Sequence, residues 1–464
     1  MSRSTRFRQR FAVLASVAFA ALLALPSGVS AQSLDAALAA AYVNNPTLNS
    51  QRAGTRAIDE NVPQALSGYR PTVSAGASVG SQYSRYSAGG TSTDGTLLPR
   101  AFNLTVTQTI FNGFLTANTT RRAESQVKGQ REALRNTEQT VLLNGVTAYM
   151  DVIQGISLLE LQNQNLAALQ QELRATRDRF NVGEVTRTDV AQAEARVAEA
   201  QYEVAQAVAN LSSYRAVYRQ VIGQDPGKLT PPPTSIERRI PVNLDGVIRT
   251  GLNQHPAVQA SQYAVDAQNF AVRAAESKLA PVLSAQGQLA QSYDQSGTID
   301  QQSGAAITLN LSVPIYQGGS EYSAIRQAKE YLTQARIEVD VNRDQVRTLA
   351  VQYWGSLVAA KAQIESAQSQ VAANTLALEG VREEWRVGQR TTTDVLNAQT
   401  DLTNSKSALV VAQRDRVVAA YSLISVIGKL DAISLGLKVP LYDPKVHYMQ
   451  VRDSWAGVRT PDGK

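Results

Sequence analysis

Apolar residues along this chain follow two different periods, and the pair of periods occurs twice. Phe102, Leu104, Val106 and Ile110 alternate with Asn103, Thr105, Thr107 and Thr109; later, Ile307, Leu309, Leu311, Val313 and Ile315 alternate with Thr308, Asn310, Ser312 and Pro314. A period of two predicts strands with one oily face and one face of hydroxyls and amides. Val73, Ala75, Ala77 and Val79, and likewise Leu283, Ala285, Gly287 and Leu289, predict a weaker partner strand ahead of each. The sum is two strand hairpins, about 72–113 and 282–319, and four strands. The Gly/Ser/Thr-rich stretch 81–101 inside the first pair is predicted to be a surface loop.

After each strand pair the period becomes seven. Val152, Leu159, Leu166, Leu173 and Phe180 are matched by Leu357, Ile364, Val371, Leu378 and Trp385, the spacing of a supercoiled helix seam. No proline occurs between Pro99 and Pro226 or between Pro314 and Pro440, so both tracts can hold long helices. The pattern stops at Val182-Gly183 and Val387-Gly388. It resumes with Val190, Val197, Val204, Leu211 and Tyr218 in one copy, and with Val395, Leu402 and Leu409 in the other, where Arg416 breaks it before Leu423.

Each tract is therefore predicted to be a helical hairpin, about 115–222 and 320–427, with Gly183 or Gly388 ending the outward helix. Thr186 or Thr391 offers a hydroxyl cap to the returning helix, with Asp189 or Asp394 three residues on. At 1.5 Å per residue the helix from Leu115 to Phe180 spans roughly 100 Å. No ordinary domain is that long.

The two halves are copies of one another. Residues 38–80 recur 210 positions later and residues 102–223 recur 205 positions later, the difference falling in the 81–101 loop. The organisation predicted is a first repeat over 32–223, a linker over 224–245 that includes Pro231-Pro232-Pro233, a second repeat over 246–428, and a tail over 429–464. The tail, with Tyr442, Tyr448 and Trp455, is expected to pack around the helical belt. Arg70-Pro71 and Ala280-Pro281 mark the passage from helix to strand.

Composition narrows the classes of function. Arg3, Arg6, Arg8 and Arg10 precede an apolar run from Phe11 to Leu25 and a small-residue site ending at Ala31, a secretory signal peptide over 1–31. The run is too short for a membrane-spanning helix, which needs about 20 residues. Those four arginines account for most of the formal charge of +6, so the basic balance gives no support to nucleic-acid binding. The chain has no cysteine, which excludes disulfides and thiolate metal sites. Only His255 and His447 are present, without a phosphate loop or ligand cluster, so no catalytic residue, metal or cofactor is expected. His255 replaces Asn45 beside a helix-starting proline and is read as structural.

Four amphipathic strands do not close a barrel, since single-chain barrels begin at about eight. A dimer supplies eight strands around a filled interior; a trimer supplies twelve, with room for water along the Thr/Asn/Ser face. The trimer is favoured without excluding a larger ring. A secreted coiled-coil adhesin or spacer also uses heptads, but has no need of matched strand pairs.

The tip sequences Arg179-Phe180-Asn181-Val182-Gly183 to Thr188-Asp189-Val190, and Trp385-Arg386-Val387-Gly388-Gln389-Arg390-Thr391 to Asp394-Val395-Leu396, resemble those of the TolC-type outer-membrane exit ducts. The resemblance covers nearly the whole mature chain. It implies an α+β membrane protein: a homotrimer with a twelve-stranded barrel among outer-membrane lipids and a helical tunnel across the periplasm. It further implies docking to an inner-membrane ABC or RND-type pump through a periplasmic membrane-fusion adaptor. By the same resemblance Arg390 and Trp385 on one hairpin bond Thr188 and Asp189 on the neighbouring one, closing the mouth. Trp385 stands where the family usually has tyrosine. Asp394 is expected to form an acidic ring at the mouth, weakened because Asn397 stands where a second acidic residue is usual. Val182, Gly183 and Glu184, with Val387, Gly388 and Gln389, are the candidate adaptor contacts.

Overall fold

The structure is a computed structural model and describes residues 32–464 except 233, 297–298, 462 and 464. The signal peptide predicted over 1–31 lies outside the described residues. Each repeat opens with short helices: α1 (Leu34–Asn44), α2 (Pro46–Asp59) and α3 (Asn61–Leu66) in the first. A strand β1 (Thr72–Val79), a hairpin β2 (Gln82–Ala88) and β3 (Thr91–Leu97), and β4 (Arg100–Phe111) follow. The helical hairpin is α4 (Leu115–Asn181) and α5 (Arg187–Ile222).

The second repeat runs α6 (Leu244–Gln254), α7 (Pro256–Glu276), β5 (Val282–Ser296), β6 (Ile299–Ser312), α8 (Ser320–Arg386) and α9 (Thr392–Val426). Where the second copy has the single helix α7, the first is split before Asn61, and Pro63 supplies the reason. The tail holds α10 (Ala432–Leu435) and α11 (Pro444–Val451).

Four strands form one antiparallel sheet in the order β1-β4-β5-β6. Its register aligns the two periods of the sequence: Ala75 faces Leu104, Leu104 faces Leu289, and Leu289 faces Ala305, so apolar positions share one face. Gly76 faces Asn103, Thr107 faces Gln286, and Gln286 faces Thr308 on the other. A one-residue slip would mix the faces. Among the described residues both edges of the sheet, β1 and β6, are unpaired, which leaves backbone groups for a neighbouring copy.

Two expectations change. The stretch 81–101 is not an open loop, because β2 and β3 pair from Gln82 with Leu97 to Ala88 with Thr91 and prolong the first hairpin. The second alternating run ends as a strand at Ser312, ahead of Pro314, which has no N–H for a ladder. The heptad break at Arg416 is a break of pattern and not of the helix: α9 continues to Val426, in keeping with the hairpin predicted over about 320–427. Arg416 Nε lies 2.7 Å from Glu237 of the inter-repeat linker, and Lys361 Nζ lies 2.8 Å from the same carboxylate. These two cations hold the Glu237 carboxyl below its usual range against the opposing effect of its burial. The polar residue in the seam is there to fasten the linker.

The main core is a belt midway along the hairpins. Leu38 of α1, Leu142 and Tyr149 of α4, Tyr218 and Ile222 of α5, Leu423 of α9, Ile427 just past its end and Leu430 of the tail are all fully buried in it. Each such side chain contributes roughly 1.5–3 kcal/mol by leaving water. Part of α4 is apolar enough to cross a membrane, yet half of that stretch is buried within the chain. It is belt, not membrane span. The helices from there to the tips are held by smaller clusters around Leu169 and Leu396 and around Leu378 and Trp385.

Candidate functional site: the paired helical tips

The tips lie far from belt and sheet, so their shape depends on local backbone chemistry. Helix α4 ends where Gly183 adopts φ of 83°, and α8 ends where Gly388 adopts 79°. Glu184 N donates to Arg179 O at 2.9 Å, and Gln389 N donates to Glu384 O at 2.8 Å, satisfying carbonyls that the helices leave free. A β-carbon at either glycine would meet nothing within 4 Å. The residue is therefore required by its positive φ and not by crowding, and Val182 and Val387 beside it are exposed.

The return helices begin with full capping boxes. Thr186 Oγ1 and N donate to Asp189 Oδ2 at 2.6 and 2.9 Å; Thr391 does the same to Asp394 at 2.8 and 3.0 Å. These bonds from the threonine hydroxyls and backbone stabilise the charged carboxylates, and both are held below the ordinary aspartate range. Asp394 is thus an anion already committed to a helix end.

The two tips differ in their aromatic residue. Trp385 is 8% exposed, packed with Leu378, Val395 and Leu402, and its indole N–H donates to Thr392 Oγ1 at 3.4 Å. Phe180, its counterpart, is 42% exposed. Arg390 Nε lies 2.7 Å from Glu384 of its own hairpin. Within the protomer, therefore, neither Trp385 nor Arg390 bonds Thr188 or Asp189: Asp189 is occupied by Thr186, and Thr188 is exposed.

Sequence reasoning missed the residue that joins the two tips inside one chain. Arg179, at the end of α4, lies with its guanidinium 4.5 Å above the Trp385 ring and donates to the Trp385 carbonyl at 3.4 Å. Its Nε is fixed 2.8 Å from Glu184. A cation packed on the face of tryptophan is attracted by the ring quadrupole. The signal was available as an arginine beside a tip aromatic in the first copy.

Further polar bonds join the hairpins behind the tips. Arg196 donates to Asn397 Oδ1 at 3.2 Å, Gln192 and Thr393 share a bond, and Asn165 Oδ1 accepts from both Gln399 and Thr403 at 3.1 Å. Glu172 lies 3.5 Å from Arg382. Asn397, the departure from the resemblance noted at the mouth, thus serves as a partner for Arg196. Among the described residues no cluster of metal-ligating side chains occurs.

A family model described as outer membrane efflux protein matches residues 37–224 and 247–429, one match to each repeat. The chain belongs to that family. It is 42% identical to the outer membrane efflux protein BepC of Brucella suis over 97% of both chains. It is 25% identical to the outer membrane protein TolC of Escherichia coli, covering 84% of this chain and 81% of that one. The fold is that of the CmeC outer membrane channel of Campylobacter jejuni, with a TM-score of 0.76 at 17% identity over 90% of this chain and 89% of that one.

The protein is accordingly an outer-membrane exit duct, with the α+β fold of a trimeric barrel continued by a helical tunnel. Family members and structural neighbours are channels and not enzymes. The reading as a secreted adhesin or spacer falls with this result.

Proposed function

We propose that this duct serves a tripartite exporter, receiving substrate from an inner-membrane ABC or RND-type pump through a periplasmic membrane-fusion adaptor, and that its tips are both docking surface and gate. The observation that carries the reading is the contrast at each tip. Val182, Gly183 and Glu184, and Val387, Gly388 and Gln389, stand at turns open to solvent, while polar bonds tie the hairpins together directly behind them. An open glycine turn offers backbone to an adaptor.

Closure requires bonds that a docking partner can overcome. In the proposed closed mouth Arg390 bonds Thr188 and Asp189 of the neighbouring subunit, leaving Glu384; both pairings are solvent-exposed, where ion pairs are weak and readily exchanged. Trp385 contributes through the Arg179 contact, since its indole N–H already has a partner. Three copies of Asp394 form an acidic ring favouring cations. The test is single-channel conductance of Arg390→Gln and Asp189→Asn in planar bilayers, with adaptor co-purification for Gly183→Leu/Gly388→Leu. Higher conductance in the first pair and lost adaptor in the second are expected; wild-type values in both would sink the assignment.

A further inference from the structure

The tail was expected to pack around the belt, and its first part does: Tyr442 N donates to Tyr42 Oη at 3.0 Å, and His447 Nδ1 lies 3.1 Å from the buried Asp59. Beyond α11 it leaves the belt and runs to the base of the sheet. There Arg70, two residues before β1, donates to the Ser454 carbonyl and lies 4.7 Å over the Trp455 ring. Trp455 is nevertheless 71% exposed. A large aromatic held in place and left open to solvent calls for an occupant.

Two further features lie at the same end of the sheet. The β4 and β5 register shifts between Thr109 and Phe111, so that Phe111 comes opposite Leu283, which itself faces Leu311. The bulge keeps Phe111 on the apolar face, where strict alternation would have turned it to the polar one. Phe114 then stacks edge-on against Phe111 at 5.7 Å. Its backbone has φ of 65°, a conformation costly for a bulky side chain, and its ring is 69% exposed. The second repeat has Gly319 at this position, with φ of 83° and no such cost. Strain retained for an exposed ring points to a role outside the protomer.

We propose that the tail is a second membrane anchor: Trp455, clamped by Arg70, and the strained Phe114 form an aromatic collar seated in the headgroup region of the periplasm-facing leaflet, fixing the depth of the barrel. The occupant is phospholipid, because the collar continues the apolar face of the four-stranded sheet through Phe111 and Ile110. Tryptophan suits that layer by its apolar body and N–H donor, and Arg70 beneath it suits lipid phosphate.

The chain permits a clean test. Its other tryptophans are far from the sheet: Trp385 is at the helical tip and Trp354 packs on the belt. Full-length trimers are reconstituted into phosphatidylethanolamine/phosphatidylglycerol vesicles with brominated acyl chains, and conductance is checked on the same preparation. Bromine-dependent quenching of tryptophan fluorescence is expected in the wild type, loss of it in Trp455→Phe, and a reduction in Arg70→Gln. Conducting vesicles without quenching, or equal quenching in Trp455→Phe, overturn the anchor. Phe114→Gly is expected to raise the unfolding temperature in detergent while easing extraction from vesicles; unchanged extraction removes Phe114 from the collar.

Discussion

The tips of the two helical hairpins have the same backbone and different interiors. Both carry a Val-Gly turn with positive φ and a Thr-x-x-Asp capping box, yet Trp385 is buried within the second hairpin while Phe180 stays exposed on the first. The turn is specified locally, residue by residue, whereas at the very tip one hairpin meets the other through an arginine crossing from the Phe180 side to the Trp385 side, ahead of the polar bonds that join the hairpins further back. A duplicated unit has acquired unequal partners without changing its frame.

The comparison is broken most strongly at Trp385. Trp385→Ala removes a buried ring and is expected to destabilise by about 3–5 kcal/mol, while Phe180→Ala costs under about 1 kcal/mol, measured by thermal or denaturant unfolding in detergent. Equal losses would mean that the tips are interchangeable. Placing Ala at Gly183 or Gly388 is expected to cost each tip alike, roughly 1–2 kcal/mol for a β-carbon at positive φ. A marked inequality would show that one turn is crowded in the assembled protein.

The capping boxes sharpen the same contrast. Thr186→Ala and Thr391→Ala are each expected to lose about 1 kcal/mol, seen as faster amide exchange in the first turns of α5 and α9. Because Asp189 and Asp394 are held below their ordinary range, the stability they contribute is present above the unfolded aspartate value and is lost as pH falls through the lower folded one. Fraying confined to strongly acid solution is the expected observation. Arg179→Gln is the gentlest change, expected to leave unfolding nearly unaltered while raising conductance; unchanged conductance would reduce the Trp385 contact to packing.

The helix starts upstream offer a parallel comparison. Asn45 Oδ1 caps α2 by accepting from Thr47 N at 2.9 Å, and His255 Nδ1 caps α7 by accepting from Ala257 N at 3.2 Å. Only the histidine titrates. Burial pushes it down to about 4, so it is neutral when folded and takes up a proton when unfolded. Stability therefore falls as pH drops from about 6.5 toward 4, by up to about 3 kcal/mol at 1.36 kcal/mol per unit. His255→Asn is expected to flatten that dependence. A slope unchanged in the variant would place its origin elsewhere.

The long-range frame was legible because its signals are periodic: the faces of the four sheet strands, the heptads and the capped turns were read from the sequence, with the last strand ending at Ser312, short of the alternation's final positions. What was not legible depended on pairing partners. Phe111 broke the alternation because its bulge is defined by β5, and Arg416 broke the heptad because its partner Glu237 lies in the linker. The stretch 81–101 hid β2 and β3 because short polar strands carry little hydrophobic signal.

By itself, then, the sequence determined the repeat, the two secondary-structure periods and the turn chemistry, since these are set by each residue's own dihedral preferences and by its neighbours a few positions away. Tertiary structure alone decided that Arg179 covers Trp385, that Arg390 turns to Glu384 within its protomer, and that the tail climbs from the belt to Arg70. Contacts between residues hundreds of positions apart, such as Arg70 with Trp455, are chosen by competing partners in space. No period along a chain encodes that choice.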